Sequence, residues 1–198
     1  MKQVAWFFLV SSLIFSGCSK SSLSSSGSST KVLRIFVSER TSNGNIGGVS
    51  NADAKCMTSD NYPGSGTFKA LIGHSSQRLA CDVSEDCSTS EVGRIDWPLK
   101  KNTPYYRLDG VTRIATTNAL GLFEFDLAAS ISDDSAAVWT GLNSDFSINT
   151  GFNCTDWSDS GGAPSQGVTG ESDSVEDISF DSNSTECSDT AHFYCVEQ

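Results

Sequence analysis

The sequence has few of the side chains that most often carry out acid–base catalysis or bind zinc. Its 198 residues include two histidines, His74 and His192, and no Cys-x-x-Cys pair. Two histidines leave little material for proton transfer or for a zinc site. A Ser–His–Asp hydrolase would also need a nucleophile turn such as Gly-x-Ser-x-Gly, which the sequence lacks. We therefore expect no enzymatic activity, a structural or exposed role for His192, and a loop position for His74.

Basic residues are scarce, and none occurs after Arg113. Against 13 Lys and Arg stand 24 Asp and Glu, for a net charge of −11, and 15 of these acids follow Arg113. Because like charges repel, this balance argues against nucleic acids and other polyanions as partners. The acidic C-terminal part has two interpretations: a solvated surface, or a site for a cation or a basic partner where carboxylates converge.

No apolar run is long enough to form a transmembrane helix. The run from Val4 to Phe15 has twelve residues and follows Lys2, whereas a spanning helix needs about 20. This pattern is typical of a signal peptide, predicted here for residues 1–17. The run ends in Phe15-Ser16-Gly17-Cys18, which resembles a bacterial lipobox and implies lipidation of Cys18. The alternative is a conventional signal peptide in which Cys18 is incidental.

Residues 18–30 are predicted to be a lipidated cysteine followed by a flexible tether. Eight of the twelve residues at 19–30 are serine, a composition that cannot bury enough apolar surface to fold. A lipid anchor would attach the protein to a membrane. Ser19, with no acidic residue nearby, resembles the sorting pattern for the outer membrane. We therefore expect an outer-membrane protein, exposed at the cell surface.

The remaining six cysteines predict three disulfides in an exported domain covering residues 31–198. Six cysteines allow 15 pairings, and the residues alone do not choose among them. Cys81 and Cys87 are close enough in sequence to close a small loop.

Short segments of regular structure are predicted along this domain. A helix is expected over about 50–60, with Ser50 as its N-cap. The 32 residues between Cys154 and Cys187, rich in Ser, Asp and Gly, are predicted to be a long loop. Strands are predicted at 31–38, 66–72, 105–107, 111–116, 122–125, 138–142 and 192–196, with a hairpin turn at Asp109-Gly110.

Several motifs in matching order resemble a known family. They are GNIGGVSNADAKC (44–56), GTFKAL (66–71), DWPLKKNTPYYRLDG (96–110), VWTGLN (138–143), NCTDW (153–157) and CSDTAHFYCVE (187–197). Together they resemble the leptospiral lipoproteins built on domain of unknown function 1554. More distantly, they resemble endostatin and the C-type lectin-like fold.

This resemblance implies a fold and a disulfide pairing. The fold is an α+β, C-type lectin-like fold, with short helices packed on small antiparallel sheets and a long disulfide-stapled loop region. In that fold the bridges nest, which implies Cys56–Cys195 and Cys154–Cys187 and leaves Cys81–Cys87 as a local bridge. The loop between Cys154 and Cys187 then becomes the region where lectin-like domains usually bind ligands.

The sequence also departs from this family's known sites. The Glu-Pro-Asn or Gln-Pro-Asp triplet and the Trp-Asn-Asp triplet that hold Ca²⁺ in sugar-binding lectins are missing, as is the arginine cluster of endostatin. We expect no cofactor and no assigned metal site. A structural Ca²⁺ stays an alternative, because six acids in or near the loop offer oxygen ligands: Asp156, Asp159, Asp173, Glu176, Asp177 and Asp181.

These observations favour a binding protein over an enzyme. Asp156, Trp157 and Asp159 are the candidate ligand-contacting residues; for Trp157, as for Trp139, core packing is the expectation and stacking on a ligand is the alternative. The expected ligand is a host protein or a glycan, with acidic steering of basic partners. The alternative is a structural envelope lipoprotein without a soluble ligand. Oligomeric state and ligand identity are not specified by the sequence.

Overall fold

The computed structural model describes residues 32–198 as a mixed α+β domain. The expected signal peptide, Cys18 and the tether lie outside the described residues. Within the described part, no helix is long and apolar enough to span a bilayer. Its strands are β1 (Leu33–Val37), β2 (Phe68–Ala70), β3 (Pro104–Tyr106), β4 (Arg113–Thr116), β5 (Ala137–Trp139), β6 (Gln166–Glu171), β7 (Asn183–Glu186) and β8 (Tyr194–Glu197).

Five strands form one sheet in the order β2-β8-β1-β3-β4. Its centre brings the two ends of the described chain together, since β1 pairs antiparallel with β8, Phe36 opposite Cys195. β1 runs parallel to β3, and β3 pairs antiparallel with β4 through the predicted hairpin. Central strand β1 is rich in β-branched and aromatic residues, which suit a pleated, buried surface.

The other three strands form a second, antiparallel sheet in the order β5-β6-β7. β6 and β7 lie between Cys154 and Cys187, so the prediction of a long loop without regular structure was wrong there. Polar, glycine-containing β6 is buried because its glycines allow close approach: a Cβ at Gly170 would lie 1.9 Å from the Ser179 carbonyl oxygen. The 3₁₀ turn Asp177–Ser179 connects β6 to β7.

Helix α1 (Val49–Met57) occupies the position of the predicted helix but begins differently. Gly48, with φ of 85°, is its N-cap and supplies no side-chain hydrogen bond, so the expected Ser50 cap was wrong. Asp53 does not complete a capping box, because its carboxylate accepts hydrogen bonds from the Ala70 amide at 2.8 Å and from buried Arg78 at 2.6 and 2.8 Å. α1 is thereby attached to the segment that follows β2.

Three disulfides link the elements, with the pairing that the family resemblance implied. Cys56–Cys195 joins α1 to β8, across a sequence separation of 139. Cys154–Cys187 spans 33 residues and encloses β6 and β7, whereas Cys81–Cys87 closes a local loop. All six half-cystines are buried.

One predicted strand is not formed. Residues 122–125 have no regular secondary structure. Leu122 and Phe123 are nevertheless buried in the main hydrophobic core, so their apolar character reflects packing rather than strand pairing.

Candidate functional site

The predicted ligand residues lie in a left-handed turn, α2 (Cys154–Trp157). All four of its residues have positive φ, between 50° and 64°. A left-handed conformation costs an L-residue about 1–2 kcal/mol, so the turn depends on contacts outside itself. One contact is the Cys154–Cys187 bridge, and another is the side chain of Asn153, which accepts a hydrogen bond from the Asp156 amide.

Trp157 is fully buried, which agrees with core packing rather than with stacking on a ligand. Its exposed fraction is 0%, and its Nε1 donates to the Gly73 carbonyl oxygen at 2.6 Å. Its ring packs edge-on against Trp139, with centroids 5.8 Å apart. Trp139 is buried as expected and donates to the Ser42 carbonyl oxygen at 2.7 Å. Neither indole presents a face on which a ligand can stack.

Asp156 fastens the turn to the loop after β2. Its carboxylate accepts hydrogen bonds from the Ser75 amide at 2.8 Å, from the Ser75 hydroxyl and from Asn153 Nδ2 at 2.7 Å. Burial alone would raise the pKa of Asp156, but the hydrogen bonds from Ser75 and Asn153, together with the electrostatic effect of nearby His74, outweigh it and lower that pKa. The structure gives this carboxylate an internal role.

Asp159 makes a second internal contact. It accepts hydrogen bonds from the Ser165 hydroxyl and from the Gly161 amide at 2.8 Å, and these bonds lower its pKa. The three predicted ligand residues are therefore adjacent, but their contacts maintain the shape of residues 153–165.

The two histidines also make contacts within the domain. Buried His74 accepts a hydrogen bond from the Ser76 amide at Nδ1, which lies 3.7 Å from Asp156 Oδ1. His192 Nδ1 lies 2.6 Å from the carbonyl oxygen of Ser38.

A different part of the domain forms an open cavity of about 660 Å³, the acidic cavity. Three segments distant in sequence line it, residues 122–126, 144–146 and 176–177, together with Ser88 and Asn118. Phe123 and Phe146 are buried and Phe125 is half-buried, so apolar rings form its inner wall. Around them stand five carboxylates, of Glu124, Asp126, Asp145, Glu176 and Asp177.

An aromatic cluster fixes the wall of the acidic cavity. Phe125 stacks on Phe146 with centroids 5.9 Å apart and planes 8° from parallel. The ring centroid of Phe180 lies 5.0 Å from that of Phe146 and 5.3 Å from that of Tyr194 on β8. The wall is thereby packed against the central sheet through Tyr194.

The pKa of Asp181 reflects the accumulation of negative charge near the acidic cavity. Its Oδ2 accepts a hydrogen bond from the Ser144 amide at 3.0 Å. Burial, followed by the nearby charges of Asp177 and Asp145, raises the pKa of Asp181, although the Ser144 bond opposes the change. A carboxyl group near the cavity is thus harder to ionise, as expected where negative charges accumulate.

A smaller cavity of about 370 Å³ lies beside β1 and the β3–β4 hairpin. Its acids include Asp109, Asp133 and Asp134, but Arg107 lines it too and pairs with Asp133 at 2.6 Å. Charge there is partly compensated, unlike the charge at the acidic cavity.

The candidate calcium ligands do not assemble a metal site. Among residues 32–198, no group of three or more His, Cys, Asp or Glu side chains is arranged to hold a metal ion. Only Glu176 and Asp177 of the six candidates line the acidic cavity.

Sequence reasoning missed the aromatic wall and the residues that complete the acidic cavity. Phe123 and Phe125 were expected in a strand, and Phe146 carried no signal of its own. The available signal was the concentration of acids after Arg113, for which a converging site was one of two interpretations.

Fold and site together define a disulfide-linked α+β domain with an acid-rimmed aromatic cavity. The family model described as "Protein of unknown function (DUF1554)" matches residues 39–175, and the chain belongs to this family. This agrees with the domain that its motifs resemble. A comparison with curated proteins gives no match.

Proposed function

We propose that the protein is an exported, membrane-anchored binding protein whose folded domain holds a group of a host protein or glycan in the acidic cavity. The observation that carries this proposal is the cavity itself. Its volume of about 660 Å³ lies within the roughly 300–1,000 Å³ typical of ligand sites. Apolar walls with a few polar groups at the mouth are the usual composition of such sites.

Non-covalent binding fits this cavity better than catalysis. Neither histidine of the chain lines it. Its aromatic wall is packed against the central sheet, and four of its five acids, Glu124, Asp126, Glu176 and Asp177, are exposed, so they can contact a ligand without being buried. Both features suit recognition, in which pre-organised groups lower the entropic cost of association.

For the fold we propose the C-type lectin-like class. The pairing of β1 with β8 and the outer Cys56–Cys195 bridge around the inner Cys154–Cys187 bridge support this assignment. The acidic cavity then differs from the site that the fold suggested, because Asp156, Trp157 and Asp159 do not line it.

We further propose that Cys18 is lipidated and anchors the protein at the outer surface of the outer membrane. The support is the apolar run that ends in a lipobox-like sequence and the disulfides, which indicate an oxidising compartment. Metabolic labelling with a fatty acid should mark the wild type and not Cys18→Ala. Labelling of both forms equally would contradict the anchor.

The binding proposal is tested by obstructing the cavity. Exposed Ser88 lines it, and the Ser88 amide and hydroxyl bond to Asp86 in a local turn. Ser84 makes the same two bonds to Asp82 but does not line the cavity. Ser88→Trp should therefore narrow the cavity, whereas Ser84→Trp is a matched control for an added indole in the same kind of turn.

Purified, oxidised protein would be screened against glycans, matrix proteins and plasma proteins, with Ca²⁺ and with EDTA. We expect saturable binding that Ser88→Trp abolishes and Ser84→Trp preserves. Binding that survives in both variants would exclude the cavity. Absence of binding by the folded wild type would favour the alternative, a structural envelope protein. Protease treatment of intact cells tests surface exposure separately: a protein that is not surface-exposed would stay uncleaved.

A further inference from the structure

We infer that the acidic cavity binds the positively charged end of a basic side chain, the guanidinium of arginine or the ammonium of lysine, presented by a protein partner. This inference rests on the proposed function and narrows the ligand from any host protein or glycan to a protein with exposed basic residues.

The first argument is the lack of compensating charge at the cavity. No Lys, Arg or His is among the described residues that line it, and none of its five carboxylates forms an ion pair within residues 32–198. Elsewhere in the domain acidic residues form ion pairs: Asp53 pairs with Arg78, and Glu197 pairs with Arg34. The cavity rim thus carries negative charge that an incoming cation can neutralise.

The second argument is the aromatic wall, which the carboxylates alone would not provide. Cations are attracted to the face of an aromatic ring within about 6 Å of its centroid. Half-buried Phe125, held by its stack on Phe146, lies at the cavity with Asp126 next to it in the chain. A cavity lined by both an aromatic ring and acidic residues suits a delocalised cation, which can use a ring face and a hydrogen bond together.

The third argument is the match to an amphipathic ligand. Lysine and arginine have an apolar stem and a charged head, and the cavity offers an apolar wall and an acidic rim. A bare metal ion fits less well, because no three potential metal ligands within the described residues are arranged around one point.

Four short peptides of otherwise identical neutral sequence serve as probes, with a central arginine, lysine, citrulline or N-acetyl-lysine. Citrulline keeps the shape of the arginine side chain, N-acetyl-lysine keeps the lysine stem, and both remove the charge. Spermidine, a free polycation, is the fifth probe. We expect the Arg and Lys peptides to bind at least about tenfold more tightly than their neutral counterparts, with an affinity that falls as salt increases.

Variants of the full-length protein link the binding to the rim. Glu176→Gln combined with Asp177→Asn removes two charges at the cavity. Asp134→Asn combined with Asp189→Asn removes two charges from exposed residues that do not line it. We expect the first pair to weaken binding of the Arg peptide about tenfold and the control pair to change it less than about twofold.

Equal binding of the arginine and citrulline peptides, or equal effects of the two double variants, would overturn the inference. Binding of spermidine without any basic peptide would assign the cavity to a free polycation and overturn the side-chain assignment. If Ser88→Trp abolishes binding of a ligand while Glu176→Gln with Asp177→Asn leaves that binding unchanged, the proposed function stands and this inference is refuted.

Discussion

The indole Nε1 of Trp157 donates a hydrogen bond to the carbonyl oxygen of Gly73 at 2.6 Å, across 84 positions of the chain. Two residues further along the same loop, the Ser75 amide donates to Asp156 at 2.8 Å. The left-handed turn is thus joined to the loop after β2 by adjacent bonds. Because four consecutive left-handed residues are unfavourable by themselves, these bonds and the Cys154–Cys187 bridge maintain the turn.

Truncation of Trp157 should therefore destabilise the domain strongly. We expect Trp157→Ala to lower the free energy of unfolding by about 3–5 kcal/mol, because it removes a fully buried ring and leaves a cavity. Trp157→Phe should cost less, since it keeps an aromatic ring and loses mainly the donor to Gly73. Guanidinium unfolding of the oxidised proteins measures both. A Trp157→Ala variant as stable as the wild type would contradict the packing described here.

Asp156 should make stability fall at acidic pH. Its pKa is lower in the folded protein than in the unfolded chain, so its contribution is present above the unfolded value, about 3.9, and is lost as pH falls through the folded value. We expect Asp156→Asn to cost about 1–2 kcal/mol at pH 7. The difference from wild type should shrink below about pH 4.

Thermal unfolding from pH 7 to pH 2.5 tests this dependence, and Asp189→Asn serves as the control, since Asp189 is exposed. A constant difference between Asp156→Asn and wild type over this range would show that the charge of Asp156 does not stabilise the turn.

The central sheet was largely predictable from the sequence because its strands carry their own signals. β1 is dense in β-branched and aromatic residues, and Asp109-Gly110 marks the hairpin between β3 and β4. The second sheet was not predictable in the same way. β6 and β7 consist mainly of polar residues and glycine, and they pair because β5 and the Cys154–Cys187 bridge place them in register.

The candidate site, like the fold, could be predicted only in part from the sequence. The excess of acids after Arg113 is visible in the sequence, but their convergence depends on tertiary structure, since the acidic cavity combines residues 122–126, 144–146 and 176–177. The residues expected to contact a ligand make internal contacts in the structure, for a local reason. In NCTDW, the tryptophan and the aspartate stabilise an unfavourable backbone conformation. The sequence does not distinguish residues that bind a ligand from residues that stabilise such a turn.

Asp181 should have the opposite effect on stability to Asp156. Burial and the charges of Asp177 and Asp145 raise its pKa in the folded protein. Its ionisation therefore opposes folding as pH rises from the unfolded value, about 3.9, through the folded value. We expect Asp181→Asn, which still offers an oxygen to the Ser144 amide, to stabilise the protein at pH 7 by a few tenths to about 1 kcal/mol.

The gain from Asp181→Asn should largely disappear near pH 3.5, where wild-type Asp181 is mostly protonated in both states. Melting temperatures of the two proteins at pH 7 and pH 3.5 decide the matter. A variant less stable than wild type at pH 7 would show that the hydrogen bond to Ser144 outweighs the repulsion.

Arg78 is the most deeply buried cation among the described residues, and its removal should be costly. It is 0% exposed and contacts Asp53 Oδ1 and Asp96 Oδ2, each at 2.6 Å, while donating to the Ala70 carbonyl oxygen at 2.8 Å. Removing one partner of a fully buried ionic group typically costs about 3–5 kcal/mol, but Asp53 and Asp96 are 24% and 39% exposed and Asp96 keeps its pair with Lys69. Solvent screening therefore lowers the expected cost to about 2–3 kcal/mol. We expect Arg78→Met to lower the free energy of unfolding by this amount.

Neutralising the two acids together with Arg78 separates charge from packing. Arg78→Met with Asp53→Asn and Asp96→Asn should recover part of the loss, because the carboxylate of Asp53, which has no other ion pair within residues 32–198, is gone, although Lys69 then loses its pair with Asp96. Arg40→Met provides the control: Arg40 is 74% exposed and lies 3.6 Å from Glu39, so its loss should change stability by less than about 0.5 kcal/mol. If the triple variant were less stable than Arg78→Met alone, packing and hydrogen bonding by Asp53 and Asp96, rather than their charge, would be the main contribution of this cluster.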